Sequence, residues 1–312
     1  MKSYTVAPRP PAYLSLTPGE WEERLQRARE LASPCVLCPR ECRVRRYGQS
    51  ERAHLGVCKT GERARVASVG PHFGEELPLV GSRGSGTIFF SYCNLKCIYC
   101  QNYSLAHLGE GREVSDEELA KMMLRLQDMG CHNVNLVSPT HVVPNILAAV
   151  KLAAEEGLKI PLVYNTGGYD SLETIRLLEG IVDIYMPDMK YGEGEVAAEF
   201  SQAYDYPAVN FAAVKEMHRQ VGELVVDERG VAVGGLLVRH LVLPGGLAGT
   251  GKVLSFIAEE ISKDTYVNIM AQYRPCYQAV GHPDLGRRIT AREYREALAL
   301  AAELGLTRVQ AM

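Results

Sequence analysis

Four things are scarce or missing in this 312-residue sequence, and each removes a class of function. No sign of charge dominates: 34 Lys and Arg face 37 Asp and Glu, for a formal net charge of −3. Like charges stay in short runs, so the electrostatic footprint of a nucleic-acid binder is unsupported. No apolar run approaches the roughly 20 residues a spanning helix needs. The proline-rich stretch from Met1 to Tyr13 carries no apolar leader core, so a cytoplasmic protein without a membrane partner is expected. Internal repeats and low-complexity segments are also absent. What remains is an ordinary globular composition, 46% apolar and 23% charged, long enough to bury a large core.

Cysteine is the exception to this ordinariness. There are nine, and seven fall into two tight groups instead of scattering as a disulfide framework would, which points to metal binding. The first group is Cys35, Cys38, Cys42 and Cys58; the second is Cys93, Cys97 and Cys100; Cys131 and Cys276 stand alone. The four thiolates of the first group lie in a short Arg- and Gly-rich segment that has no apolar core of its own, so a metal is its expected staple. Tetrahedral zinc and a second [4Fe-4S] cluster both suit four cysteines. The position of the segment ahead of the main domain tips the reading toward structural zinc.

Patterning divides the chain at about residue 65. Residues 1–65 read as a helix opened by the capping box Thr17-Pro18-Gly19-Glu20, followed by the four-cysteine segment. Residues 66–312 read as repeated βα units with a C-terminal helix. Strands are expected at 86–92, 133–138, 161–166, 181–187, 236–243 and 265–272. Helices are expected at 115–129, 141–156, 170–179, 195–221 with a break near Pro207, 250–262 and 290–304. Leu224–Val226 and Val231–Val233 read as a hairpin inserted before the fifth strand. Six units fall short of the eight that close a barrel, so the fold class is α/β, a partial (βα)6 TIM-like barrel with a small Cys-rich metal-binding segment. Working residues of such folds gather where the strands end.

Cys93-Asn94-Leu95-Lys96-Cys97-Ile98-Tyr99-Cys100 follows the first of these strands. A cubane cluster takes one thiolate per iron, so three cysteines leave one iron open to a substrate or cofactor. A zinc site completed by His107 or a distant residue is the bland alternative. The octapeptide resembles the C-x3-C-x-aromatic-C signature of the radical S-adenosylmethionine (SAM) superfamily, with Tyr99 in the aromatic place. That resemblance implies a [4Fe-4S] cluster on Cys93, Cys97 and Cys100, SAM chelated to its open iron, and reductive cleavage of SAM to a 5′-deoxyadenosyl radical that abstracts a hydrogen atom.

Over roughly residues 85–280 the chain is similar to the pyruvate formate-lyase activating enzyme branch, and the similarity implies further site residues. Where that branch often shows Gly-Gly-Glu, this chain has Ser138-Pro139-Thr140-His141, so the hydroxyls of Ser138 and Thr140 are expected at the SAM ammonium. Asn165-Thr166-Gly167-Gly168 resembles its Asp-Thr-Asn-Gly segment. Met186-Pro187-Asp188-Met189-Lys190 resembles its Met-Leu-Asp-Leu-Lys run, which implies a monovalent cation near the SAM carboxylate and Lys190 as that carboxylate's neutraliser. Arg239, five residues before Pro244-Gly245, matches an Arg-x4-Pro-Gly pattern; its neighbour His240 would face the other way on a regular strand. Gln272 and Tyr273 end the sixth strand near the expected nucleoside. Cys276 follows at the cavity mouth as a candidate hydrogen-atom donor. His72, Glu75 and Glu76 are read as a surface loop, with the cavity as the alternative, and Cys131 as a small buried residue.

Three functions compete. An activating-type enzyme would take its hydrogen atom from a glycine of a partner glycyl radical enzyme, with electrons from a flavodoxin or ferredoxin; it needs an open barrel side, which residues 1–65 could cover. A radical SAM enzyme acting on a small molecule or peptide is the second. A non-catalytic metal-binding or redox-sensing protein is the third.

Overall fold

The computed structural model describes residues 4–7, 9–48 and 55–311; the parts of the amino-terminal segment at 1–3, 8 and 49–54 lie outside the described residues. The strands in chain order are β1 (Ala64–His72), β2 (Ser85–Phe90), β3 (Arg112–Val114), β4 (Val134–Val137), β5 (Leu162–Thr166), β6 (Ile184–Pro187), β7 (Val225–Val226), β8 (Ala232–Leu241), β9 (Tyr266–Met270) and β10 (Arg308–Ala311). Six of them, β2-β4-β5-β6-β8-β9, pair in parallel in that order. They are the six strands read from the sequence, and they curve into a partial TIM-like barrel.

Four strands border this set. The antiparallel pair β1 and β3 extends the β2 side, and β10 adds in parallel to β9. Because β3 and β10 do not pair with each other, the sheet stays open. The hairpin expected at 224–233 forms, but its second arm is the start of β8 and runs on without a break into the barrel.

Helices follow the strands as α1 (Pro18–Ala32), α2 (Leu77–Val80), α3 (Tyr103–Ala106), α4 (Asp116–Asp128), α5 (Val143–Glu155), α6 (Leu172–Leu177), α7 (Gly194–Ser201), α8 (Tyr206–Val221), α9 (Thr250–Phe256) and α10 (Ala291–Glu303). Capping boxes open α1, α4 and α10, each with Ser or Thr at the cap and Glu three residues on. The break near Pro207 separates α7 from α8: Gln202 turns into the left-handed region and Pro207 sits in the first turn of α8, where its missing N–H costs nothing.

Strand alternation sorts two faces. Ile88, Leu136, Leu162, Val238 and Val267 face outward and pack with Met123, Ile146, Val150 and Val253 of the helices. Val163, Ile184, Met186 and Leu237 point inward and meet Leu79 of α2, which fills the amino end of the barrel. Each fully buried aliphatic side chain stabilises the fold by roughly 1.5–3 kcal/mol.

The amino-terminal segment joins this core. Trp21, Ala28, Leu31 and Leu37 belong to the same apolar cluster as the outward strand residues, and α1 packs on α5 and α6. The Tyr13 hydroxyl donates to the Ile160 carbonyl at 3.0 Å, and Ala12 N–H donates to Asp183 Oδ1 at 2.8 Å. Among the described residues the segment lies against the helical wall, and Tyr4 packs on Arg308 of the edge strand β10. No helix of the described chain is long and apolar enough to cross a membrane.

Candidate active site

Tyr92, with φ +65°, turns the chain out of β2 into the Cys93–Cys100 loop. This loop has no regular structure, so its backbone donors need partners from elsewhere. The end of α7 supplies them: Lys96 N–H donates to the Ser201 carbonyl at 3.2 Å, and Ile98 N–H to the Phe200 carbonyl at 2.9 Å. The Ser201 hydroxyl also donates to Cys97 Sγ at 2.9 Å, and Leu95 N–H to Cys93 Sγ at 3.4 Å. Burial pushes the Cys93 thiol up, and burial together with the neighbouring thiols pushes Cys100 up to about 12. Three sulfurs with N–H and O–H donors aimed at two of them fit an iron–sulfur cluster.

All three cysteines line one cavity of ≈ 230 Å³ at the carboxyl ends of the barrel strands, and Ser138, Asn165, Thr166, Asp188, Lys190, Arg239 and Gln272 line it with them. The centre of its polar side is Asp188. One carboxylate oxygen accepts from Arg239 Nε at 2.8 Å, and the other from Lys190 Nζ at 2.5 Å. Arg239 reaches on to Asn165 Oδ1 at 2.7 Å. Burial opposes the charge on Asp188, but Arg239 and Lys190 outweigh it and hold the carboxyl below the ordinary range. The result is two cations sharing Asp188, with the Glu75 carboxyl 3.7 Å from Arg239 and raised to about 7 by burial, so the balance facing the cavity is cationic while Glu75 is protonated. That balance suits a ligand carboxylate. Both carboxylate oxygens of Asp188 and Asn165 Oδ1 face cationic side chains, while the Asp188 carbonyl accepts from Tyr206 and Asn210.

Packing behind the cavity fixes these loops. The Tyr206 hydroxyl lies 2.9 Å from the carbonyls of both Gly167 and Asp188, and Asn210 Nδ2 donates to the carbonyls of Gly168 and Asp188 at 2.9 and 3.0 Å. Gly168 has φ +76°, and a Cβ there would lie 2.2 Å from both Asn210 Nδ2 and the Asp188 carbonyl oxygen, so only glycine fits. His240 faces the helices, as alternation requires, with its ring nitrogens on the Met189 carbonyl and the Thr250 hydroxyl at 2.7 and 3.0 Å.

Three sequence-derived candidates stand elsewhere. Thr140 is turned away: its hydroxyl donates to Asp170 Oδ1 at 2.6 Å in a buried cluster with Thr166 and Tyr164, so Ser138 alone represents that loop in the cavity. Tyr273 is 1% exposed and hydrogen-bonds the Leu285 carbonyl, packing edge-on against Tyr99 beneath the cysteine loop. Tyr99 itself reaches the cavity wall while wedged between Tyr191 and Tyr273. Cys276 precedes the short turn Tyr277–Ala279 and is not among the lining residues, so the structure does not place its thiol as a hydrogen-atom donor.

Other residues enter unannounced. Glu75 and Glu76 form no surface loop: Glu75 lies 3.7 Å from Arg239, and Glu76 Oε1 accepts from Asn268 Nδ2 at 2.9 Å inside the barrel. Burial, with Glu76 and Asp188 adding to it against Arg239, raises Glu75 to about 7. Leu241, Met270 and Gly167 also line the cavity; Leu241 could have been found by stepping two residues along the strand from Arg239. His72 is exposed, and Cys131 is the small buried residue expected.

The first cysteine group gathers as well. Cys35, Cys38, Cys42 and Cys58 line one small pocket, closed by Arg40, Arg46 and Asn94. Among the described residues, no three His, Cys, Asp or Glu side chains in either cysteine group are grouped as one shared metal ion needs.

A sequence model described as the Radical SAM superfamily matches residues 87–227. The uncharacterized protein MJ0674 of Methanocaldococcus jannaschii is 32% identical over 299 residues, covering 93% of this chain and 80% of that protein. Among solved structures, HydG, a maturase of the [FeFe]-hydrogenase, has a TM-score of 0.48 at 13% identity, covering 70% of this chain and 48% of its own. Methylornithine synthase (PylB) has 0.44 at 15%, covering 72% and 70%. Streptococcus suis SuiB bound to S-adenosylmethionine has 0.43 at 12%, covering 70% and 44%. The chain thus spans about half the length of HydG and SuiB.

Proposed function

Because this chain belongs to the radical SAM superfamily, in one family with MJ0674, we propose that it is an activating-type member whose cavity binds SAM against Cys93, Cys97 and Cys100 and directs hydrogen abstraction at a glycine of a partner protein. The observation that carries this reading is the cage of Asp188, Lys190, Arg239 and Asn165 facing three cysteines in one cavity. When bound, a [4Fe-4S] cluster with SAM supplies a one-electron cleavage that yields methionine and a 5′-deoxyadenosyl radical.

The chain's own residues bind and orient. Lys190 and Arg239 offer cations to the SAM carboxylate, and Asp188 holds both in place so that neither must be ordered on binding. Ser138, at the end of β4, offers a hydroxyl to the ammonium. Tyr99, Leu95, Leu241 and Met270 give the cavity an apolar wall that keeps water from a reactive intermediate. One feature supports a macromolecular substrate: the sheet is open between β3 and β10.

The test is anaerobic. Protein reconstituted with iron and sulfide is given SAM, dithionite and a glycyl radical enzyme of the same genome bearing α-deuterated glycine. Deuterium in the released 5′-deoxyadenosine supports the glycine reading. Cleavage without transfer would replace it by a small-molecule or peptide substrate, and no cleavage would return the chain to a metal-binding or redox-sensing role.

A further inference from the structure

The two cysteine groups are 35 residues apart between Cys58 and Cys93 and adjacent in space. The contact is made by the catalytic loop itself. Asn94, next to Cys93, lines the pocket of the first group. The Cys93 thiol in turn points at Asn94 Oδ1 at 3.7 Å. Lys96 of the same loop donates its Nζ to the Cys93 carbonyl at 3.2 Å. From the other side, Arg40 within the first group donates its Nε to the Asn94 carbonyl at 2.9 Å and an Nη to the Ser201 carbonyl at 3.1 Å.

Arg46 bears on the charge of the first group. It is 7% exposed, and among the described residues its guanidinium meets the His141 carbonyl at 2.5 Å and Cys58 Sγ at 3.4 Å, with no carboxylate. Its Nε is buried without a partner. An uncompensated guanidinium is costly to bury. Four thiolates around a metal centre carry net negative charge and supply the missing counter-ion.

We propose that Cys35, Cys38, Cys42 and Cys58 hold a second iron–sulfur cluster, neutralised by Arg46 and joined to the catalytic cysteine loop through Asn94. One thiolate per iron suits four cysteines that line a pocket without closing on one ion. The junction places the second centre to relay single electrons from a low-potential one-electron donor to the catalytic loop. Each transfer oxidises one centre and reduces the other by one electron, and no bond or proton moves. This inference rests on the radical SAM reading only for the identity of the neighbouring site.

The experiment uses the full chain, reconstituted anaerobically. About eight irons and no zinc per chain are expected, with two reduced electron paramagnetic resonance signals broadened by mutual interaction, only one of which responds to SAM. Cys42→Ala, at the least buried of the four, should remove about four irons and the broadening while the SAM-responsive signal persists; circular dichroism checks that the variant folds. Arg46→Gln keeps all four ligands and should lower the reduction potential of the SAM-insensitive centre alone, because a reduced cluster loses its cation. One zinc with four irons overturns the proposal, as do two clusters whose signals are a plain sum of the separate ones. A missing SAM response with eight irons would instead sink the radical SAM assignment and leave the second cluster standing.

Discussion

The catalytic cysteines and the amino-terminal cysteines differ in how their surroundings are built. Three thiols share one continuous loop, open onto a polar cavity and leave room for a ligand. Four thiols, contributed by a 35–42 turn and by Cys58, line a small pocket of their own beside a buried arginine. A site that binds a cofactor keeps an open face and stores charge for the guest, as Lys190 and Arg239 do across Asp188. A site that serves the protein's own structure or wiring balances its charge internally, as Arg46 does.

The largest expected effects separate these two designs. Replacing Cys93, Cys97 or Cys100 by Ala should bring dithionite-driven 5′-deoxyadenosine formation to background, whereas Cys35→Ala should keep that reaction and lower stability, on the order of 3 kcal/mol, in chemical denaturation. If Cys35→Ala were the more damaging to SAM cleavage by dithionite, the division of labour would be reversed. Next comes Asp188→Asn, which leaves Arg239 and Lys190 without their shared anion. It should destabilise the fold by about 3–5 kcal/mol and weaken SAM binding, measurable by denaturation and by calorimetric titration. A variant as stable as the parent would show that the cage is not held by that carboxylate.

Glu75 sharpens the same contrast through pH. Its folded value of about 7 lies above the ordinary 4.5, so it binds a proton more tightly folded than unfolded. Its contribution is complete below pH ~4.5 and is lost as pH rises through ~7, on the order of 3 kcal/mol in all. Glu75→Gln should therefore flatten the stability profile between those limits, read as the melting temperature across pH. An unchanged slope would assign that titration elsewhere. The smallest effect is at Ser201→Ala, which removes the hydroxyl donor to Cys97: about 1 kcal/mol, with a shifted reduction potential of the SAM-responsive cluster.

Much of this was legible before any coordinates. Parallel strands buried on both faces read as short apolar runs, and β2, β4, β5, β6, β8 and β9 are such runs. Caps placed α1, α4 and α10. The cavity residues at four strand ends were legible because loop position and strand order constrain them together. β1 and β10 were not: Ala64–His72 contains Gly70 and Pro71, which weaken a strand pattern, and Arg308–Ala311 is short and polar in part. Thr140 was misread because its partner Asp170 lies 30 residues on and competes for the hydroxyl. Glu75 and Glu76 looked like surface because carboxylates are rarely buried without a partner, and Arg239 stands 164 positions along the chain from Glu75. Such distant pairings leave no local signal.

The clamps on the amino-terminal segment also bear on the order in which the chain acquires its shape during synthesis. Arg46 reaches a carbonyl 95 residues downstream, Arg40 one 161 residues downstream, and Ala12 a carboxylate 171 residues downstream. This segment, synthesised before the barrel, is therefore among the last to be secured, since such long loops must close before their contacts form. Its four thiols stay reachable through most of translation, and the finished barrel then shuts the door behind them.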